Sequence, residues 1–185
     1  MSVMHNYLGG LCHQHGTGTE KDEGRDFEAL QQAAEGGDIQ AVYKLAMCYE
    51  YGSGVEKDER RATELYQQAA EGGDVDAMFN LGMRYQQGTG VEKDERRAFE
   101  LFQKAAEGGD VDAMSTLAVC YQQGTGVEKN HQRAFELFQQ AAEGGEVQAM
   151  YKLAMCYEYG RGVEKDERRA AELFQQAAEV GDKDH

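Results

Sequence analysis

The sequence predicts an all-α fold, a right-handed α/α superhelical solenoid of 36-residue helix-turn-helix repeats, and three observations carry that reading. First, the pairs Gly37-Asp38, Gly73-Asp74, Gly109-Asp110, Gly145-Glu146 and Gly181-Asp182 each advance by 36 residues, as do the GxG pairs opening at Gly16, Gly52, Gly88, Gly124 and Gly160. Second, each period holds two apolar stripes at helical spacing, and no segment shows the strict alternation of a half-buried strand. Third, 23 glycines and no proline leave glycine to make the turns, as short helices with left-handed caps require. A pair of three-turn helices cannot bury its stripe alone, so the repeats must stack on one another.

The expected organisation is a single array over residues 1–185. A degenerate unit (1–37) precedes four full repeats (38–73, 74–109, 110–145 and 146–181) and a short tail (182–185). In the first helix of a repeat, "DIQAVYKLAMCYEY", Ala41, Leu45 and Tyr49 fall at i, i+4 and i+8 beside Val42 and Ala46. Asp38 is placed to cap its amides, and Gly52 to end it in the left-handed conformation. In the second helix, "DERRATELYQQAAEGG", the stripe is Ala62, Leu65, Tyr66 and Ala69, opened by Asp58 and closed by Gly72. Tyr66, Phe102, Phe138 and Phe174 share one core slot. The first unit departs from this plan: Leu8 and Gly9 are one residue out of register with Leu81 and Gly82, Asp26 stands at the Ala62 slot and Ala29 at the Leu65 slot. A polar, atypical unit suits an end cap. At the other end "VGDKDH" follows the last second helix, so Leu173 and Phe174 would be open to self-association.

Nineteen basic against 34 acidic residues give a formal charge of −15. Such a surface repels nucleic acid and anionic membranes and favours cationic partners. No apolar run approaches the roughly 18 residues of a membrane span, and "MSVMHNYLGGLCHQHG" lacks a secretory leader's basic start and apolar stretch. A soluble, cytoplasmic chain is expected. Cys12, Cys48, Cys120 and Cys156 are separated by 36, 72 and 36 residues, which fits no zinc or redox motif, and they read as free thiols. Arg84 takes their slot in the third unit.

"YEYGSGVEKDERRA" (49–62) returns at 157–170 with Ser53 replaced by Arg161 as the only change. A phosphate loop would place its glycines after a strand and before a helix, usually with a lysine. Here GxG follows a helix, and Glu56, Asp58 and Glu59 stand where the anion would sit. A calcium loop would need a closing bidentate glutamate, which the spacing lacks. For metal binding by Cys12, His13 and His15, the two histidines, two apart, point to different sides of a helix, and Cys12 occupies the slot that recurs as Cys48, Cys120 and Cys156; His131 opens a second helix away from any recurring nucleophile. The expectation is therefore no catalytic residue, no metal and no cofactor.

"AMFNLGMRYQQGTGVEKDERRAFELFQKAAEGGD" (77–110) resembles the Sel-one-like repeat, a 36-residue relative of the tetratricopeptide repeat with the pattern A-x-x-x-L-G-x-x-Y-x-x-G-x-G-V, a charged link and A-x-x-x-x-x-x-A-A-x-x-G. The resemblance covers residues 38–181 and a degraded unit before them. It implies a protein-protein interaction scaffold whose first helices line a concave groove. Carried over slot by slot, the groove set is Gln40, Tyr43, Met47, Glu50 and Tyr51; Asp76, Phe79, Met83, Gln86 and Gln87; Asp112, Ser115, Val119, Gln122 and Gln123; and Gln148, Tyr151, Met155, Glu158 and Tyr159. These slots vary between repeats while loops and second helices barely change. Tyrosine and methionine at this spacing are read either as packing or as recognition; for recognition, aromatics and methionines supply adaptable contact and acids favour Lys or Arg on a peptide or protein segment. Some cysteine-rich relatives pair cysteines within a unit and have been linked to penicillin binding. That implies a hydrolase alternative, but this chain has at most one cysteine per unit.

Overall fold

A computed structural model of the chain describes residues 20–181, and among them the backbone forms nine α-helices and no strand. They are α1 (Glu20–Glu35), α2 (Ile39–Tyr51), α3 (Glu59–Glu71), α4 (Val75–Gln87), α5 (Glu95–Glu107), α6 (Val111–Gln123), α7 (His131–Glu143), α8 (Val147–Tyr159) and α9 (Glu167–Gly181). The fold is all-α and built of 36-residue helix-turn-helix hairpins, as the period predicts. The chain forms two compact units, Met1–Asp74 and Val75–His185. In the first, α1 packs on α2 and α2 on α3; in the second, each helix from α4 to α9 packs on its neighbours in sequence. Leu8, Gly9, Cys12, His13, His15 and the 182–185 tail lie outside the described residues.

The caps follow the sequence reading. Asp38 accepts a hydrogen bond from the Ala41 amide at 3.1 Å and Asp110 from that of Ala113 at 2.8 Å. On the second helices, Asp58, Asp94, Asn130 and Asp166 do the same for Arg61, Arg97, Arg133 and Arg169 at 2.9–3.0 Å. Gly52, Gly124 and Gly160 end the first helices in the left-handed conformation, each donating to the carbonyl four residues back. The close of the second helix is more divided than expected. Gly72 has right-handed φ of −75°, and the positive φ falls on Gly73, at 93°. Gly72 is small for a different reason: a Cβ there would lie 2.5 Å from Cδ1 of Ile39 at the start of α2.

The core follows the predicted stripes. Ala41, Val42, Leu45 and Ala46 of α2 are buried, as are Ala62, Leu65, Tyr66 and Ala69 of α3. Tyr66, Phe102 and Phe138 are at most 1% exposed, whereas Phe174, in the same slot of α9, is half-buried. Fully buried alanines such as Ala105, Ala118 and Ala141 let the helices approach closely enough to seat those rings.

Adjacent hairpins are joined by a second aromatic device. The tyrosine near the end of three of the four first helices meets a phenylalanine of the preceding helix edge-on: Phe27–Tyr49, Phe99–Tyr121 and Phe135–Tyr157 have centroids 5.3–5.6 Å apart, while the slot before Tyr85 holds Thr63. On Tyr85, Tyr121 and Tyr157 the arginine of the same hairpin's second helix covers the ring face, with Arg97, Arg133 and Arg169 5.4–5.9 Å from the centroid. Edge-to-face and cation–π contacts of this kind each contribute about 0.5–1.5 kcal/mol. The degenerate first unit keeps the device through Phe27 even though Asp26 and Ala29 are exposed.

Among the described residues Cys48, Cys120 and Cys156 form no disulfide. Burial, reinforced by the Glu95 carboxylate, pushes the Cys120 thiol up to about 11, and burial also raises Cys156 against the opposing charges of Arg161 and Lys152. A thiol raised on folding is neutral in both states at low pH. Its effect begins above the unfolded value, where the unfolded chain ionises first and stability falls as pH rises toward the folded value. Cys120 and Cys156 should therefore react with iodoacetamide at pH 8 much more slowly in the folded protein than in urea. Equal rates in the two states would contradict their burial.

Candidate functional site

The first helices α2, α4, α6 and α8 present the twenty predicted groove positions, and the structure divides them by what each side chain already touches. At the opening slot Gln40, Asp76, Asp112 and Gln148 are all exposed. Gln40 is engaged within its own unit, its Nε2 donating to the buried Asp74 carboxylate at 2.7 Å. Asp76 and Asp112 stand near the N-cap of α6. The Asp110 carboxyl there is held above its ordinary value, first by burial and then by the like charges of Asp112 and Asp76, against the backbone hydrogen bonds that lower it. Negative potential is thus concentrated where α6 begins.

One turn on, Tyr43, Phe79 and Tyr151 are half-buried rather than free. Their rings lie 5.8, 5.8 and 6.0 Å from those of Tyr66, Phe102 and Phe174 of the same hairpin. They roof the core aromatics and so carry packing as well as surface. Ser115 replaces the roof over Phe138, which stays fully buried. Met47, Met83 and Val119 are half-buried, while Met155 is 36% exposed.

The last two slots lie at the helix ends. Glu50, Gln86, Gln122 and Glu158 are half-buried. Glu50 accepts a hydrogen bond from the Tyr66 hydroxyl, satisfying a polar atom whose ring is 1% exposed. In α4 and α6 a phenylalanine replaces that tyrosine in the following helix and glutamine replaces the acid; α8 keeps Glu158 although its hairpin carries Phe174. Gln87 and Gln123 are exposed, Tyr51 is 42% exposed and Tyr159 58% exposed, with the Arg161 guanidinium 5.3 Å over the Tyr159 ring.

A family model decides what these hairpins are: five consecutive Sel1 repeats match residues 2–38, 39–74, 75–110, 111–146 and 147–182. The chain belongs to the Sel1 repeat family. It is 32% identical to a protective antigen of uropathogenic Escherichia coli displaying an SLR fold, over 85% of this chain and 34% of that one, with a TM-score of 0.82. It is 38% identical to a Sel1 repeat protein from Oxalobacter formigenes, over 77% of this chain and 58% of that one, with a TM-score of 0.74. The Helicobacter pylori cysteine rich protein B shares the fold, at 24% identity over 68% of this chain and 90% of that one and a TM-score of 0.53. The chain thus spans less than two thirds of the first two of these proteins. No curated protein sequence matches it. Sel1 repeat proteins are generally protein-interaction scaffolds and typically non-enzymatic. Among the described residues no helix is long and apolar enough to cross a membrane.

The Sel1 hairpins also form surface clefts that stripe analysis does not reveal. One, of 310 Å³, lies among α5, α6 and α7 and is lined by Met114, Leu117, Tyr121 and Arg133 with Gln103 and Glu136. Its counterpart one repeat on, of 210 Å³, is lined by Met150, Leu153, Tyr157 and Arg169 with Gln139. Each is floored by the arginine-covered tyrosine that joins adjacent hairpins. The sequence signal is the Tyr-Arg pair recurring twelve residues apart, which hydrophobic periodicity treats as core followed by surface.

Proposed function

We propose that this Sel1 repeat protein is a non-catalytic scaffold that binds a peptide or protein segment, with basic residues, through its first helices. One observation carries the reading: the large hydrophobic side chains exposed on the described residues are Tyr51, Met155 and Tyr159, and all three fall within the predicted partner-binding set. Two of them adjoin an acid, Glu50 beside Tyr51 and Glu158 beside Tyr159, and Asp76 and Asp112 carry negative charge along the same set of slots. Exposed aromatics with an acid beside each in sequence suit a ligand that combines an apolar anchor with lysine or arginine.

The half-buried ring roofs make Tyr43, Phe79 and Tyr151 poor first mutants, since removing them alters packing as well as surface. The decisive comparison is the native chain against Tyr51→Ala combined with Met155→Ala and Tyr159→Ala, by affinity purification with mass spectrometry and by binding to arrays of lysine-rich and glutamate-rich peptides. Capture should fall at least tenfold, weaken with added salt and favour the basic peptides, while the melting temperature stays within a few degrees. Undiminished capture by the triple variant would remove the first-helix face from consideration.

A further inference from the structure

We propose that the cleft between the start of α7 and the loop after α8 is an anion site, taking a carboxylate or phosphate group. The charged links of this chain are nearly invariant: residues 56–62, 92–98 and 164–170 all read EKDERRA, but residues 128–134 read EKNHQRA. Two of the three acids that argue against an anion in the other links are thus replaced here, Asp by Asn130 and Glu by His131, while Glu128 keeps the place of Glu56. In the regular links the lysine is neutralised by the glutamate two residues on: Lys57–Glu59 and Lys93–Glu95 at 2.9 and 2.8 Å, and Lys165–Glu167 likewise. Two residues after Lys129 the chain has His131 in place of that glutamate, and among the described residues Lys129 has no ion pair.

The second change lies in the next hairpin and faces the first. In the GxG turns the middle residue is Ser53, Thr89 or Thr125, and only the last turn has a charge there, Arg161. The second glycine of that turn presses against the start of α7: a Cβ on Gly162 would lie 2.0 Å from the His131 carbonyl oxygen. The same approach places Gly126 against Glu95, where a Cβ would lie 2.1 Å from the carbonyl oxygen. Backbone geometry therefore sets the middle residue of the turn beside the first residue of the preceding second helix. With glutamate there, as at Glu95, an arginine would have found an internal counter-ion. With His131 it does not, and the Tyr159 ring holds the Arg161 guanidinium in place at 5.3 Å.

Both changes open onto one cleft of 540 Å³ lined by Gln122, Gln123, Lys129, His131 and Arg161, with no carboxylate among its walls. In a chain of charge −15 this is a local inversion. Two cations, an imidazole and two amides offer converging donors to an oxyanion, the guanidinium in its planar fork.

The site shares Gln122 and Gln123 with the first-helix set, but its test can fail or succeed apart from that reading, because its probe is a small anion and no partner protein takes part. The test is an NMR titration of the full chain with inorganic phosphate and, separately, with acetate, at constant ionic strength held by sodium chloride. It is repeated on His131→Glu and Arg161→Ser, which restore residues found at the same slots of other repeats and should leave the fold intact. Saturable shifts confined to Lys129, His131, Arg161 and their neighbours are expected, with affinity lowered at least tenfold in each variant. Tighter phosphate than acetate assigns a phosphorylated ligand, and the reverse a carboxylate. Non-saturating shifts, equal responses at the Lys57, Lys93 and Lys165 links, or variants that bind like the native chain would overturn the site.

Discussion

Replacing Phe138 by alanine is expected to destabilise the Val75–His185 unit by about 3–5 kcal/mol, the range for deleting a fully buried phenylalanine. The ring is 0% exposed and sits in a cluster with Ala118, Ala134, Ala141, Ala149, Leu153 and Cys156, drawn from α6, α7 and α8. Three helices therefore lose contacts at once. The matching substitution Phe174→Ala should cost clearly less, about 1–2 kcal/mol, because part of that ring already faces water. Urea unfolding followed by circular dichroism measures both. Equal losses would mean that the slot contributes the same everywhere and that burial does not set its worth. In a stacked array each hairpin is stabilised mainly by its neighbours, so Phe138→Ala should also broaden the transition as repeats begin to melt separately.

The second large effect is expected at Gly126. Its φ of +70° already disfavours any side chain, and an added Cβ would lie 2.1 Å from the Glu95 carbonyl oxygen, 2.7 Å from its carbon and 3.1 Å from the Phe99 Cβ. The first two are backbone atoms and cannot swing aside. Gly126→Ala should lose roughly 3 kcal/mol or more, combining left-handed strain with a forced displacement of the turn. Gly145 provides the control: its φ is +90° but nothing lies within 4 Å of an added methyl group, so Gly145→Ala should show the conformational cost alone, about 1–2 kcal/mol. If the two variants unfold at the same urea concentration, the close approach of turn to helix is not a real constraint.

The hairpins were legible because their evidence is local and repeated. Asp38, Gly52 and Asp58 state where helices start and stop, and Ala41, Leu45 and Ala46 state which side turns inward; the structure agrees on each. The surface was less legible, because periodicity gives the direction of a side chain but not its reach. Tyr43 leaves α2 beside the core stripe, and its length carries the ring back over Tyr66, whereas Ser115 at the same slot is too short to do so. Gln40 and Glu50 also point from the expected face, yet each is engaged by a partner 34 or 16 residues away in the chain, a pairing no short window can show. The clefts on Tyr121 and Tyr157 escaped for a related reason, since they are made where three helices meet.

The contact between a turn's second glycine and the helix before it also bears on how such a chain can lengthen. The stretch from one GxG turn to the next carries both halves of that contact near its beginning, a glycine to rest on the helix before it and, five residues on, a helix start to receive the next glycine. A block of 36 residues copied and inserted in phase arrives with both halves, so it can stack without disturbing the contacts on either side. The contact thus suits growth by whole blocks. The chain from Gly16 onward keeps to that measure without a single added or missing residue, and "YEYGSGVEKDERRA" and "YEYGRGVEKDERRA" stand three blocks apart in it.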